Sequence, residues 1–297
     1  VKPQNDRFRD EGLSELLDAA IRDGQGAGSR AARAPLYDRL RRLSGLPGPR
    51  MNDALVRAFA AEVARRGAAA DPLLSALRDF HVDVAPLGHV DEFLAILGVA
   101  GTGARAAADA KARAKLVESL SEASWDPRSR VRVEVTVGLV AVGVEVGPAF
   151  AETLHRWIED DDAFLARAAI DAAADPALLP VLGAEVAGRL LDATYARIAR
   201  ERRAARRSDG FNRLLRAVEV AAPAMVVRFP SIAEVLERQA QGDDEDVRET
   251  LQASIALLRK GRASDRAQAI EQHLAATKKP SRDPRWDRLP GKRGRGR

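Results

Sequence analysis

The sequence predicts an all-α protein, an α-solenoid in which antiparallel helix pairs stack on one another. Three observations carry that prediction. Apolar residues recur at helical spacing through most of the 297 residues. The helical segments end at acidic or Pro/Gly punctuation. An arginine set just behind a turn returns at Arg132, Arg167 and Arg248, 35 and 81 residues apart, and the second gap is about two periods of roughly 40. Two antiparallel helices cannot bury both of their faces alone, so such a unit gains its core by stacking on its neighbours.

Taken in order, Leu13, Leu16, Leu17, Ala20 and Ile21 form one apolar face, and Leu36, Leu40 and Leu43 form the next. Two prolines and two glycines between Ser44 and Pro49 stop the second helix. Segments from Ala54 to Arg66, Pro72 to Phe80 and Val90 to Val99 read as helices; Gly98 to Gly103 is expected to close the last of these as a helix–helix turn. An Ala/Lys/Arg-rich helix from Ala104 to Ser121 is expected to lie partly in solvent. Pro148 starts a helix with Phe150, Leu154, Trp157 and Ile158 on one face, stopped by Glu159-Asp160-Asp161-Asp162 and followed by a helix from Ala163 to Ala174. Long helices are expected from Pro176 to about Arg207 and from Asp209 to about Arg228. A Ser231/Glu234 capping box opens another, and a turn from Gly242 to Asp246 leads into Val247 to Lys260. Acidic residues suit these turns, because an aspartate at a helix start accepts backbone N–H bonds and opposes the positive dipole end.

One stretch is ambiguous. Val131, Val133, Val135 and Val137 alternate with polar residues, a period-two pattern of β-branched side chains that taken alone reads as strand or hairpin. The repeat register instead puts Val131, Val135, Leu139 and Val142 on one helical face. Helix is expected, because a hairpin would interrupt a stack that continues on both sides.

The pattern of an aspartate followed by Val-Arg and small or apolar positions, in Asp246-Val247-Arg248-Glu249-Thr250-Leu251 and in Arg130-Val131-Arg132, resembles the second helix of HEAT repeats. The segment from Trp157 to Asp171 resembles the HEAT-like repeats of the DNA-alkylation-repair glycosylases, and the run from Ser44 to Arg50 resembles a feature of bacterial HEAT-repeat proteins of undefined function. The resemblance covers residues 115–260. It divides the chain into an N-terminal helical region (1–110), a HEAT-like region continuous with it (111–277) and a basic tail (278–297) expected to be disordered. Its motifs specify fold far better than activity.

Charge is unevenly placed. The chain holds 48 Lys and Arg against 43 Asp and Glu, yet the last twenty residues alone contain nine basic and two acidic groups, which leaves 39 basic and 41 acidic over the other 277. The basic excess therefore belongs to the tail. With 46% apolar residues the chain can bury a core, and with 4% aromatics that core is aliphatic. The absence of cysteine excludes disulfides, thiolate metal sites and a cysteine nucleophile. Charged residues interrupt the N-terminus where a signal peptide needs an apolar run, and the longest apolar stretch, Val135 to Val144, is about half a membrane-spanning length. A cytoplasmic protein with no membrane contact is expected.

Few constellations carry chemistry. The alkylation-repair resemblance implies a catalytic carboxylate at Asp162 and an aromatic cradle at Trp157 and Phe164; Phe164 and Ala166 replace a usual tryptophan and arginine, and Asp126 beside Trp125 is the other carboxylate candidate. The packing alternative puts both aromatic rings between helices. The acidic turns lack calcium-loop spacing and are expected to cap helices. His81, His89, His155 and His273 show no zinc-binding spacing, and Gly98-Val-Ala-Gly101-Thr-Gly103 lacks the ending of a phosphate loop. No cofactor is implied. Arg197, Arg200, Arg203 and Arg207 form the best candidate phosphate-binding ridge of the body, with Arg200, Arg203 and Arg207 expected on one helical face; Lys292, Arg293, Arg295 and Arg297 form a second cluster in the tail. The expectation is a non-enzymatic scaffold that binds a protein partner. The alternative is a DNA-binding relative of the alkylation-repair group, active as a glycosylase or inactive.

Overall fold

The computed structural model describes residues 12–23, 29–260 and 264–276, and the tail cluster Lys292, Arg293, Arg295 and Arg297 lies outside them. Every regular element among the described residues is helical. In chain order these are α1 (Leu13–Arg22), α2 (Ser29–Leu43), α3 (Asp53–Arg66), α4 (Asp71–Arg78), α5 (Glu92–Ala108), α6 (Arg113–Ala123), α7 (Ser129–Val146), α8 (Ala151–Glu159), α9 (Ala163–Ala173), α10 (Leu179–Ala199), α11 (Asp209–Arg228), α12 (Ala233–Gln239), α13 (Glu245–Lys260) and α14 (Ser264–Ala276).

From α3 onward the helices form two rows. In the first, α3, α5, α7, α9, α11 and α13 each pack on the next. The second holds α8, α10, α12 and α14, with α8 packing on α10, α10 on α12 and α12 on α14, while α4 and α6 pack on α5. The apolar core runs between the rows, from Leu13 to Leu274, and is built of Leu, Val, Ile and Ala.

The valine-rich stretch is helical, as expected. In α7, Val131, Val135, Leu139 and Val142 are buried, while Val133, Val137 and Val144 face solvent. Tertiary burial of a 3.6-period face overrides the β-propensity of the individual valines. The run Ser129–Glu159 is long and apolar enough to resemble a membrane span. Gly147, at φ 80°, splits it into α7 and α8, and α7 packs against α5 and α9.

Several expected boundaries shift for identifiable reasons. Gly98 to Gly103 does not end a helix: α5 runs through it, and every residue from Glu92 to Gly103 is buried. These glycines exist for close approach. A Cβ on Gly98 would lie 2.8 Å from the backbone N of Arg78 in α4, and one on Gly103 would lie 2.5 Å from Cα of Gly138 in α7. The expected helix from Ala104 to Ser121 breaks at Asp109, whose carboxylate accepts the N–H groups of Lys111 and Ala112 and starts a new turn. Helix α8 starts after a 3₁₀ turn at Gly147–Phe150. The long helix expected from Pro176 begins only at Leu179, is kinked at Gly183 (φ 77°, ψ 167°) and stops at Ala199. The Ser231/Glu234 capping box does not form; Pro230–Ile232 is a 3₁₀ turn without a side-chain cap. The sequence reading missed α14 altogether.

Candidate interaction surfaces

The arginine ridge is not a ridge. Because α10 ends at Ala199, Arg200, Arg203 and Arg207 do not share a helical face. Arg206 causes the stop: its guanidinium donates to the carbonyls of Ala199 (2.9 Å) and Glu201 (3.1 Å), standing in for the backbone donors of a further helical turn. It also pairs with Asp244 just before α13 and with Asp246 in the first turn of α13. Arg197 is buried and structural; it donates to the carbonyls of Asp160 (2.9 Å) and Asp161 (2.8 Å) and to the Glu201 carboxylate. Arg200 pairs with Glu159 at 2.7 Å. Within this cluster Arg202, Arg203 and Arg207 stand exposed, with no side-chain partner among the described residues.

Much of the remaining arginine is spent likewise. A guanidinium carries five donors in one plane and can satisfy several loop carbonyls at once. Buried Arg128 donates to the carbonyls of Phe80 and Ala85 while pairing with Asp126. Arg113 holds the carbonyls of Ala106 and Ala107 at the end of α5, and Arg248 holds those of Gly242 and Leu274. The repeated arginine behind each turn is thus a loop anchor at Arg132, which donates to the Asp126 carbonyl, and at Arg248; at Arg167 it pairs with Asp171 instead.

The residues of the implied glycosylase site are dispersed. Asp162 caps α9, its Oδ1 accepting from the Phe164 N–H at 2.7 Å. Asp126 is held by Arg128. Trp157 is buried and lines a cleft between α6 and α8. Phe164 packs against Gly210 at the start of α11 and lies under the Arg132 guanidinium, 5.4 Å from ring centroid to Cζ. Trp157 and Phe164 therefore sit in different places rather than lining one cradle. The acidic turns cap helices through Asp162 and through Asp244, whose Oδ1 accepts from the Val247 N–H. Among the described residues no group of three or more His, Asp or Glu side chains is placed to hold a metal.

What gathers instead lies on the first row. On α7, Val133, Val137 and Val144 make an exposed stripe opposite the buried face, and Val220 and Val227 do the same on α11, with Leu257 on α13. Between α7 and α11, helix α9 presents half-buried Phe164, Arg167 and Asp171, the last two ion-paired at 2.9 Å. Burial raises the Asp171 carboxyl, while Arg167 opposes that shift. Arg132 is pushed below its ordinary value, first by burial and then by Arg213 and Arg167. Glu134, on the flank of α7, is nearly buried; burial first, and Asp53 of α3 second, push its carboxyl up to about 7 against the pull of Arg57. Nothing in the alternating valine pattern singled out Glu134, because its burial depends on how α3 and α7 approach across α5.

No family model, curated protein or solved structure matches the chain.

Proposed function

We propose that this chain is a non-enzymatic, HEAT-like α-solenoid whose first row of helices binds a protein partner. The carrying observation is the exposed valine stripe on α7, repeated by Val220 and Val227 on α11. Monomeric surfaces tolerate single exposed aliphatics, whereas stripes of them, here on α7 and on α11 at the other side of α9, suit a contact surface. The chemistry-bearing residues support the same reading, since Asp126, Asp162 and Arg197 are engaged in holding turns. Row-on-row packing supports the solenoid: each first-row helix touches the next, and an arginine ties successive turns.

A photo-cross-linking amino acid at Val137 or Val220 tests this in cells of the source organism. Discrete protein adducts are expected from both positions and not from the second-row control Arg189. Equal labelling from all three, or none from Val137 and Val220, refutes the reading.

A second reading rests on its own observation. Arg202, Arg203 and Arg207 are exposed cations without side-chain partners among the described residues, clustered between α10 and α11. They supply a small polyanion-binding patch. Replacing all three by Ser should lower the slope of log affinity for duplex DNA against log salt by about 2 to 3. An unchanged slope removes nucleic acid from this loop.

A further inference from the structure

The first turns of α7, α9 and α11 meet at one place. Arg132 of α7 lies over the Phe164 ring of α9, 5.4 Å from Cζ to centroid, and a Cβ on Gly210 of α11 would lie 3.1 Å from the same ring. Three helices of the first row thus bring their N-terminal, partly positive ends together. Arginines gather there as well. Half-buried Arg167 and Arg213 hold Asp171 and Asp209 in ion pairs of 2.9 and 2.7 Å along their own helices. Arg132 and Arg216 have no carboxylate partner among the described residues, since Asp162 is engaged in the α9 cap and Asp126 with Arg128. Arg132 is 3% exposed, and its Nε has no acceptor among the described residues. Burial first, and then Arg213 and Arg167, hold its guanidinium below the ordinary value. A buried cation left unbalanced among like charges is unfavourable, and an anion at the surface above it relieves that repulsion.

We infer that the protein partner of the first row presents an acidic segment here, an Asp or Glu followed by aliphatic residues, whose carboxylate pairs with Arg167 and Arg213 above Arg132. This rests on the reading that the first row binds a protein. The order of side chains along the row selects the occupant. On α11, Arg213 and Arg216 share a helical face with exposed Val220 and Val227; on α7, exposed Val133 and Val137 follow Arg132. A ligand lying along the row meets cations at the helix N-termini and aliphatic side chains beyond them. A carboxylate followed by aliphatic residues satisfies both, whereas a phosphodiester backbone leaves the valines uncovered. Entry of the new carboxylate is opposed only weakly, because the exposed Arg213–Asp209 pair that it loosens contributes little.

The test is selection of a phage-displayed library of random linear peptides against the full chain. Arg213→Gln/Arg216→Gln is the site variant, and Arg202→Ser/Arg203→Ser/Arg207→Ser controls for the basic loop between α10 and α11. Enriched peptides should carry Asp or Glu beside Val, Leu or Ile and lose about tenfold or more in affinity when that acid is replaced by its amide. They should lose as much on the site variant and nothing on the loop variant, with both variants melting as the parent does. On the site variant the acid-to-amide change should then have no further effect. The inference is overturned if no peptide is enriched, if the enriched peptides lack acids or bind the site variant unchanged, or if duplex DNA displaces them from the parent but not from the site variant. Acid-free aliphatic peptides that cross-link at Val137 or Val220 would remove this inference alone and leave the protein-partner reading standing.

Discussion

Glu134→Gln should make the protein more stable above neutral pH, and by an amount the structure sets. The Glu134 carboxyl sits on α7 with no hydrogen bond or ion pair to a described residue, in the field of Asp53 and Arg57 from α3. Its value in the folded chain is about 7, against an ordinary 4.5. Below pH 4.5 both states are protonated and the group contributes nothing to the pH dependence. Between 4.5 and 7 the folded chain holds a proton that the unfolded chain has released, so stability falls as pH rises, by about 1.4 kcal/mol per unit. Above pH 7 the full loss, up to about 3 kcal/mol, is in place. Glutamine keeps the shape and stays neutral. Urea unfolding of both proteins from pH 4.5 to 8.5 should therefore give coincident stabilities at the acid end and a variant more stable by up to about 3 kcal/mol at the alkaline end. Parallel profiles, offset by a constant, would show that Glu134 is hydrated and charged, and the account of the α3–α7 approach would fall with it.

Four further outcomes follow from the same packing. Gly103→Ala should destabilise by roughly 1–3 kcal/mol despite alanine's better helix propensity, because its Cβ would meet Gly138 Cα at 2.5 Å; a raised melting temperature would refute the backbone contact. Gly188→Ala in α10 meets Val235 only at 3.7 Å and should stabilise by about 0.5–1 kcal/mol in the same calorimetric assay. Arg197→Ala, which removes the donor to two carbonyls of the α8–α9 turn and leaves the Glu201 carboxylate unpaired, should cost about 3 kcal/mol, whereas Arg203→Ala should stay within about 0.5 kcal/mol; similar costs would restore the two to one functional cluster. Asp162→Ala should lower stability by about 0.5–2 kcal/mol through loss of the α9 cap, and an unchanged denaturation midpoint would mean that the carboxylate has another task.

The helical fold was legible because it rests on local periodicity. Leu13 and Leu17, Leu36 and Leu40, and Leu154, Trp157 and Ile158 are all buried at the spacing their sequence shows. The acidic turns were legible for the same reason, since Asp162 needs only its own next residues to cap α9. The glycines were misread because local rules count glycine as a breaker. Gly98 and Gly103 serve partners in α4 and α7 that lie twenty and thirty-five residues away in the chain.

Charge shows the same division. From the sequence, the count of arginines and their clustering from Arg197 to Arg207 were plain, and they suggested a binding surface. Which of them face solvent was decided by the tertiary structure: Arg197 is held by the α8–α9 turn, Arg206 by Asp244 and Asp246 at the start of α13, and Arg203 and Arg207 are left exposed. The sequence by itself determined that this chain is helical and where most of its turns fall, because helix period and capping are properties of neighbouring residues. The close α5–α7 contact at Gly103 and Gly138 and the burial of Glu134 were decided by tertiary structure alone, because each depends on how closely two distant helices approach.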